Sequence, residues 1–335
     1  MKNVAIIGAG FMGETHATNY MQIKNARLVA VCETNAEKGA KFASKFGIQA
    51  YRDFQDMIDN ENVDVIDICL PTFLHPQVAI AAANAGKHVI CEKPVALTVE
   101  ALDQMLDAVR KNGVHLYVCQ VVRFWPEYVK AKELLENGTL GEFKSYYAAR
   151  LSQHPAWSEW YRRPENSGGG ILDLHLHDVD YATYLFGAPK KVYAIGKKNG
   201  VGCWNYVSSI LRFNKGYQCT IEGILEMPLG WPFTTDLRIV GSKRAYEASM
   251  KAGRNVENIA SSHRSAYLYG DDREEEVKLE RYDAYLCELQ HFIDCIEDGR
   301  ASEVVSEDQI RISLCTIRAL KKSLEDSQEV EVDYR

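Results

Sequence analysis

Nothing in the 335-residue sequence reads as a membrane span: no run approaches the ~18 consecutive apolar residues that one needs. The first residues pass straight into Val4-Ala5-Ile6-Ile7, with no basic stretch or long apolar segment before it. Secretion is therefore not signalled, and a cytoplasmic protein is expected. Positive charge is not in excess. Lysine and arginine number 39 against 46 aspartates and glutamates, and the net charge of -7 argues against a nucleic-acid partner. The densest acidic cluster, Asp271, Asp272, Glu274, Glu275 and Glu276, reads as a solvated turn leading to a strand. The nine cysteines are odd in number and form no C-x-x-C pair. Cys32, Cys69, Cys91, Cys119 and Cys219 sit inside apolar runs, as small reduced core residues do, so a disulfide framework is not expected.

What remains is the composition of a globular enzyme, 46% hydrophobic and 25% charged. The length suits two domains rather than one core. The run Val4-Ala5-Ile6-Ile7 has no polar alternation, as expected of a parallel strand covered on both faces. Gly8-Ala9-Gly10-Phe11-Met12-Gly13 follows it at once. Glycines there let the backbone turn tightly and approach a pyrophosphate, which then rests on the amides opening the next helix. A second strand, Leu28-Val29-Ala30-Val31-Cys32, ends in Glu33, at the spacing where a carboxylate holds both ribose hydroxyls and repels a 2′-phosphate. NAD is expected in preference to NADP, the more so because Thr34 and Asn35 supply no arginine. A plain glycine turn without a nucleotide is the structural alternative.

Strand and helix continue to alternate. A helix is expected over 36–46 and a third strand over 63–70, followed by Pro71-Thr72. Ligands of doubly wound sheets bind beyond the strands' carboxyl ends, so Pro71, Thr72 and His75 are candidates to line the cofactor cleft. His75 serves equally well as a hydrogen-bonder at the start of the helix that Pro76 opens. The next strand runs through His88-Val89-Ile90-Cys91 into Glu92-Lys93-Pro94. A lysine at that end can donate to a substrate oxygen and stabilise negative charge on it. Helix 98–112 and strand 115–119 lead to Gln120.

Farther along, Gly168-Gly169-Gly170 runs into Ile171-Leu172-Asp173-Leu174-His175-Leu176-His177-Asp178-Val179-Asp180. Read as one helix, it puts Asp173, His177 and Asp180 on one stripe and Leu172, Leu176, Val179 and Thr183 on another. A histidine flanked by carboxylates on a cleft-facing stripe can act as a general base. Alternatively it is a hydrogen-bonded core histidine. His175 and His177 point apart on a helix, so no metal is expected.

Taken together, residues 8–13, residues 86–94 and residues 168–180 resemble the Gfo/Idh/MocA family, named for glucose-fructose oxidoreductase and inositol dehydrogenase. The resemblance spans nearly the whole chain. It implies an α/β protein: an N-terminal Rossmann domain with a doubly wound parallel sheet over 1–122, then an α+β domain over 123–335 with a large, open, mainly antiparallel sheet. The runs 143–152, 191–197, 206–213, 217–225 and 234–240, separated by short turns, suit that second sheet. The resemblance further implies a homodimer or homotetramer formed through the sheet face.

By the same resemblance the nucleotide is held by Gly8, Gly10, Phe11, Met12, Gly13, Glu33, Pro71, Thr72, His75, Glu92, Lys93 and Gln120. Lys93 holds the substrate oxygen, Asp173 bonds substrate or orients the base, and His177 takes the hydroxyl proton, at the seam between the two domains. Asp180 has a supporting place, and Arg123 and Trp160 are further substrate candidates. His175 stands where many members have a small residue and is not counted as catalytic. The loop with Trp157, Trp160 and Tyr161 before Arg162 and Arg163 departs from the family's tryptophan-arginine order. The implied activity is NAD-dependent interconversion of a secondary alcohol and a ketone on a sugar, sugar derivative or cyclitol. The rivals are an NAD-dependent glycosidase of the same family and a non-catalytic nucleotide-sensing regulator.

Overall fold

The computed structural model describes residues 1–154, 159–253 and 262–335. The chain divides into two compact units, Met1–Phe124 with Tyr282–Ile310, and Trp125–Arg281 with Arg311–Arg335. The boundary expected near residue 122 falls close to the end of the first stretch. Residues 282–310, expected with the second half, cluster with the first unit instead, because helix Ala284–Asp298 packs on helix Phe11–Tyr20.

In the first unit six strands form one parallel sheet: β1 (Lys2–Ile7), β2 (Ala26–Cys32), β3 (Gln49–Tyr51), β4 (Val65–Ile68), β5 (His88–Cys91) and β6 (Leu116–Val118). Their order is β3-β2-β1-β4-β5-β6, so the winding reverses between β1 and β4. Helices cover both faces, which is why the strands carry continuous apolar runs; every residue of β4 is buried, Asp67 included. The intervening helices start and stop where local chemistry dictates. Asn35 caps helix Ala36–Phe46 by accepting the Lys38 amide, and Thr98 caps helix Val99–Asn112 by accepting that of Ala101. Gly47 and Gly113 end these helices in the left-handed region.

The second unit is built on nine strands: β7 (Phe143–Leu151), β8 (Pro189–Lys198), β9 (Trp204–Phe213), β10 (Gln218–Ile224), β11 (Phe233–Gly241), β12 (Ala245–Ala252), β13 (His263–Gly270), β14 (Arg273–Glu276) and β15 (Val330–Glu331). Their order is β14-β13-β12-β11-β7-β10-β9-β8-β15, antiparallel except where β7 meets β10. Buried and exposed residues alternate along β9 and β12, the mark of a sheet covered on one face. Helix Leu176–Phe186 lies over β7 and β10, and its last residue, Phe186, packs with Phe143, Phe213 and Tyr217.

The acidic cluster is divided by the fold. Asp271 and Asp272 form the turn with positive φ of 53° and 56°, while Glu274–Glu276 belong to strand β14 itself. No described helix is long and apolar enough to cross a membrane.

Candidate active site

In the first unit β1 runs directly into the glycine loop. Gly8 has φ +104°, and a Cβ there would lie 2.5 Å from the Cys69 carbonyl oxygen; one on Gly13 would lie 2.0 Å from that of Gly8. Those two glycines let the loop close against β4. Gly10 differs, since a Cβ on it would meet nothing within 4 Å. It precedes helix Phe11–Tyr20, whose first turn has no side-chain cap. Open space thus stands at the positive end of a helix, which fits a dinucleotide's pyrophosphate.

Glu33 stands just past β2. Its Oε2 accepts the Ala9 amide at 3.1 Å and pairs with Lys38 Nζ at 3.2 Å, while Oε1 accepts the Asn35 amide at 3.1 Å. Burial pushes this carboxyl up, but the two amides and the Lys38 ammonium outweigh it and hold it below its ordinary value. An ionised carboxylate beside the glycine loop suits ribose hydroxyls.

The neighbouring strand ends are less exposed than the sequence suggests. Thr72 and His75 are buried. His75 ties Nδ1 to the Pro94 carbonyl at 2.9 Å and Nε2 to that of Leu70 at 2.7 Å, bracing the turn after β4 against the one after β5. Burial lowers its pKa, against those carbonyls. Gln120 is also buried; its amide donates to Glu288 Oε1 at 2.5 Å. Arg123, a candidate to touch substrate, has an internal role: 3% exposed, it donates through Nη1 to the Val304 carbonyl and to Gln309 Oε1, both at 2.6 Å.

At the end of β5, Lys93 is half-buried and Glu92 is 6% exposed. Glu92 belongs to a cluster that motif reading missed. His16, wholly buried on helix Phe11–Tyr20, places Nδ1 2.8 Å from Asp67 Oδ2 and Nε2 3.1 Å from Glu92 Oε1. Tyr20 donates to the same Asp67 oxygen at 2.9 Å, and Cys69 Sγ lies 3.4 Å from Nδ1. Two signals were available: a histidine in the turn after Gly13, and an aspartate in the middle of an apolar strand.

In the second unit the triple glycine is pinned to the sheet. The Gly170 amide donates to Asn205 Oδ1 at 2.7 Å, and Asn205 in turn donates to Glu226 at 2.8 Å. Gly168 and Gly169 have φ of +74° and +78°. The expected single helix is two: Gly170–Asp173 and Leu176–Phe186. Between them the His175 amide reaches back to the Gly170 carbonyl and that of His177 to Leu174, so the ladder widens and then tightens. Asp173 therefore ends the first helix and His177 stands in the opening turn of the second, which replaces the expected single stripe.

The flanking polar residues are used inside the unit. Asp178 pairs with Arg150 of β7, and Asp180 accepts from Ser313 Oγ at 2.8 Å. His175 turns to the sheet, where Nε2 meets Ser209 Oγ at 2.8 Å. Asp173 is 9% exposed, and His177 is the one side chain from Gly169 to Thr183 that is not buried. Trp160 is half-buried in the short helix Glu159–Arg162; Trp157 and the side chain of Tyr161 lie outside the described residues.

The glycine loop, the helix it opens and the acid after β2 define a dinucleotide-binding unit. A family model described as "Oxidoreductase family, NAD-binding Rossmann fold" matches residues 2–120, and one described as "GFO/IDH/MocA C-terminal domain" matches 128–247. The chain belongs to the Gfo/Idh/MocA family of oxidoreductases. It is 32% identical to myo-inositol 2-dehydrogenase of Thermotoga maritima, with 98% of each chain covered. To scyllo-inositol 2-dehydrogenase (NAD(+)) of Bacillus subtilis it is 26% identical, covering 99% of this chain and 96% of that one. The crystal structure of a probable dehydrogenase from Thermotoga maritima superposes with a TM-score of 0.81 at 28% identity, with 98% of each chain covered.

Proposed function

We propose that the protein is an NAD-dependent dehydrogenase interconverting a secondary alcohol and a ketone on a sugar, sugar derivative or cyclitol. The observation that carries this reading is the partial exposure of His177 in a stretch otherwise buried from Gly169 to Thr183. A merely structural histidine at that position would be packed like His175. In this reading His177 takes the hydroxyl proton, Asp173 bonds the substrate or orients the ring, and Lys93 holds the substrate oxygen and stabilises charge growing on it. NAD, when bound, supplies the hydride acceptor. Gly8 to Gly13 seat its pyrophosphate and Glu33 its ribose, which supports NAD over NADP. The inositol dehydrogenases among the relatives support the polyol class.

The protein works in the cytoplasm, in keeping with nine cysteines that form no disulfide. It assembles as a homodimer or homotetramer through the uncovered face of the second sheet, where Ile195 and Tyr206 are 58% and 37% exposed.

The test is a panel of inositols, aldoses, sugar acids and amino sugars offered with NAD and then NADP, followed by ultraviolet absorbance of the reduced cofactor. One compound class should respond with NAD. His177→Ala should then lose about 10²- to 10⁴-fold in kcat with NAD affinity held. Undiminished turnover in that variant would show that His177 is not the base.

A further inference from the structure

The glycine loop and the lysine-bearing strand end belong to different elements, and one histidine joins them. We propose that His16 is a positioning residue for Lys93, acting through Glu92. Its Nε2 holds Glu92 Oε1 at 3.1 Å, and the other oxygen of that carboxylate, Oε2, accepts the backbone N–H of Lys93 itself at 2.9 Å. Glu92 is thus gripped from both sides, and the chain direction at Lys93 is set by a side chain on the very helix whose first amides receive the pyrophosphate. For its effect on turnover the proposal rests on the dehydrogenase reading above; the geometric tie does not.

The ring must be charged to do this. Both of its nitrogens face carboxylate oxygens, Asp67 Oδ2 on one side and Glu92 Oε1 on the other. A neutral imidazole has one N–H and would turn a lone pair on the second carboxylate; an imidazolium donates to both. The surroundings agree from every side. Helix Phe11–Tyr20 contributes Tyr20, β4 and its end contribute Asp67 and Cys69, β5 and its end contribute Cys91 and Glu92, β6 leads to Cys119, and helix Ala284–Asp298 presents Tyr285 and Glu288. Burial alone would strip the proton from His16, but Asp67 and Cys69 reverse that and raise its pKa well above the ordinary value. Glu288 moves away from its charged form: burial and then the neighbouring Glu92 push it well above the usual carboxylate range.

The decisive measurement needs neither substrate nor cofactor. In nitrogen-resolved NMR of the cofactor-free protein, both ring nitrogens of His16 are expected to carry protons through neutral pH. The Lys93 backbone amide should sit downfield and move at the same alkaline pH at which His16 loses its proton. In His16→Gln that amide should exchange roughly tenfold faster. With whichever compound the substrate panel identifies, kcat should fall about 10²-fold while the NAD dissociation constant stays within about threefold. Glu92→Gln should reproduce the loss in kcat, and the double variant should be no slower than the slower single one.

A ring nitrogen without a proton at neutral pH, whether from a neutral imidazole or a bound metal, overturns the proposal. So does a Lys93 amide indifferent to the state of His16, or an unchanged kcat in His16→Gln where Lys93→Ala is inactive. The wild-type titration decides if either variant fails to fold. If no polyol is oxidised, the dehydrogenase reading fails and the amide response still decides the tie.

Discussion

Arg150 and Asp178 are joined at two points inside the second unit, Nε to Oδ2 at 2.8 Å and Nη2 to Oδ1 at 3.0 Å, with 1% and 0% of their side chains exposed. Tyr128 donates to the same carboxylate at 3.3 Å, and the Trp125 ring lies 5.2 Å from the guanidinium carbon. The pair fastens the helix that carries His177 to strand β7. Removing one partner leaves the other charged and buried, so Asp178→Asn should lower the unfolding free energy by about 3–5 kcal/mol. Arg150→Met combined with Asp178→Leu should recover part of that loss. Urea denaturation measures both, and a cost below about 1 kcal/mol for Asp178→Asn would mean that the helix is anchored elsewhere.

The glycine loop makes two opposite predictions. A Cβ on Gly13 would be driven into the Gly8 carbonyl, so Gly13→Ala should destabilise the cofactor-free protein by about 1–3 kcal/mol. A Cβ on Gly10 meets no protein atom, and its φ of -79° is open to any residue. Gly10→Ala should therefore unfold within about 0.5 kcal/mol of wild type yet bind NAD roughly tenfold more weakly. Thermal unfolding without cofactor, paired with calorimetric titration of NAD, separates the two effects. Normal NAD affinity in Gly10→Ala would place the pyrophosphate elsewhere.

Much of this was legible in the residues because the signals are local. Unbroken apolar runs such as Val4-Ala5-Ile6-Ile7 are forced into a sheet covered on both faces, and the glycine loop needs only its own backbone. The second sheet was half legible. β12 and β13 were not anticipated, since Ala245–Ala252 and His263–Gly270 are rich in small and charged residues whose role as strands depends on their neighbours. The break between Asp173 and Leu176 was invisible to periodicity, because it lies where His175 turns to Ser209 of a distant strand and the backbone bonds shift from the regular ladder. The His16 cluster was missed for a related reason: its carboxylates come from separate strands, and only the winding of the first sheet brings them to one ring.

Glu33 is the residue on which cofactor choice turns. Its carboxylate is ionised and accepts from Ala9, Asn35 and Lys38, the last at 3.2 Å. Glu33→Ser removes both the acceptor for ribose hydroxyls and the repulsion of a 2′-phosphate, and it releases Lys38 Nζ. The dissociation constant for NAD should rise about tenfold and that for NADP should fall. Fluorescence titration with each cofactor gives the ratio. An unchanged ratio would assign the preference to a different residue.

His175 should leave a signature in the pH dependence of stability. Its ring is wholly buried, bonded through Nε2 to Ser209, and faces Gly223 so closely that a Cβ on that glycine would lie 2.6 Å from Nδ1. Burial pushes its pKa from 6.5 down to about 3. Between those values the unfolded chain binds a proton that the folded chain refuses. The stability is therefore present in full above 6.5 and is lost as the pH falls towards 3, by about 1.4 kcal/mol for each pH unit. His16 acts with the opposite sign, contributing stability below its raised pKa and losing it as the pH climbs through that value, so the bulk curve mixes the two. Comparing wild type with His175→Gln isolates the first. At about pH 5 the variant should have lost about 2 kcal/mol less than wild type relative to neutral pH. Parallel curves from pH 7 to pH 4 would mean that the ring takes up its proton inside the folded chain, with Nδ1 reaching water or a carbonyl.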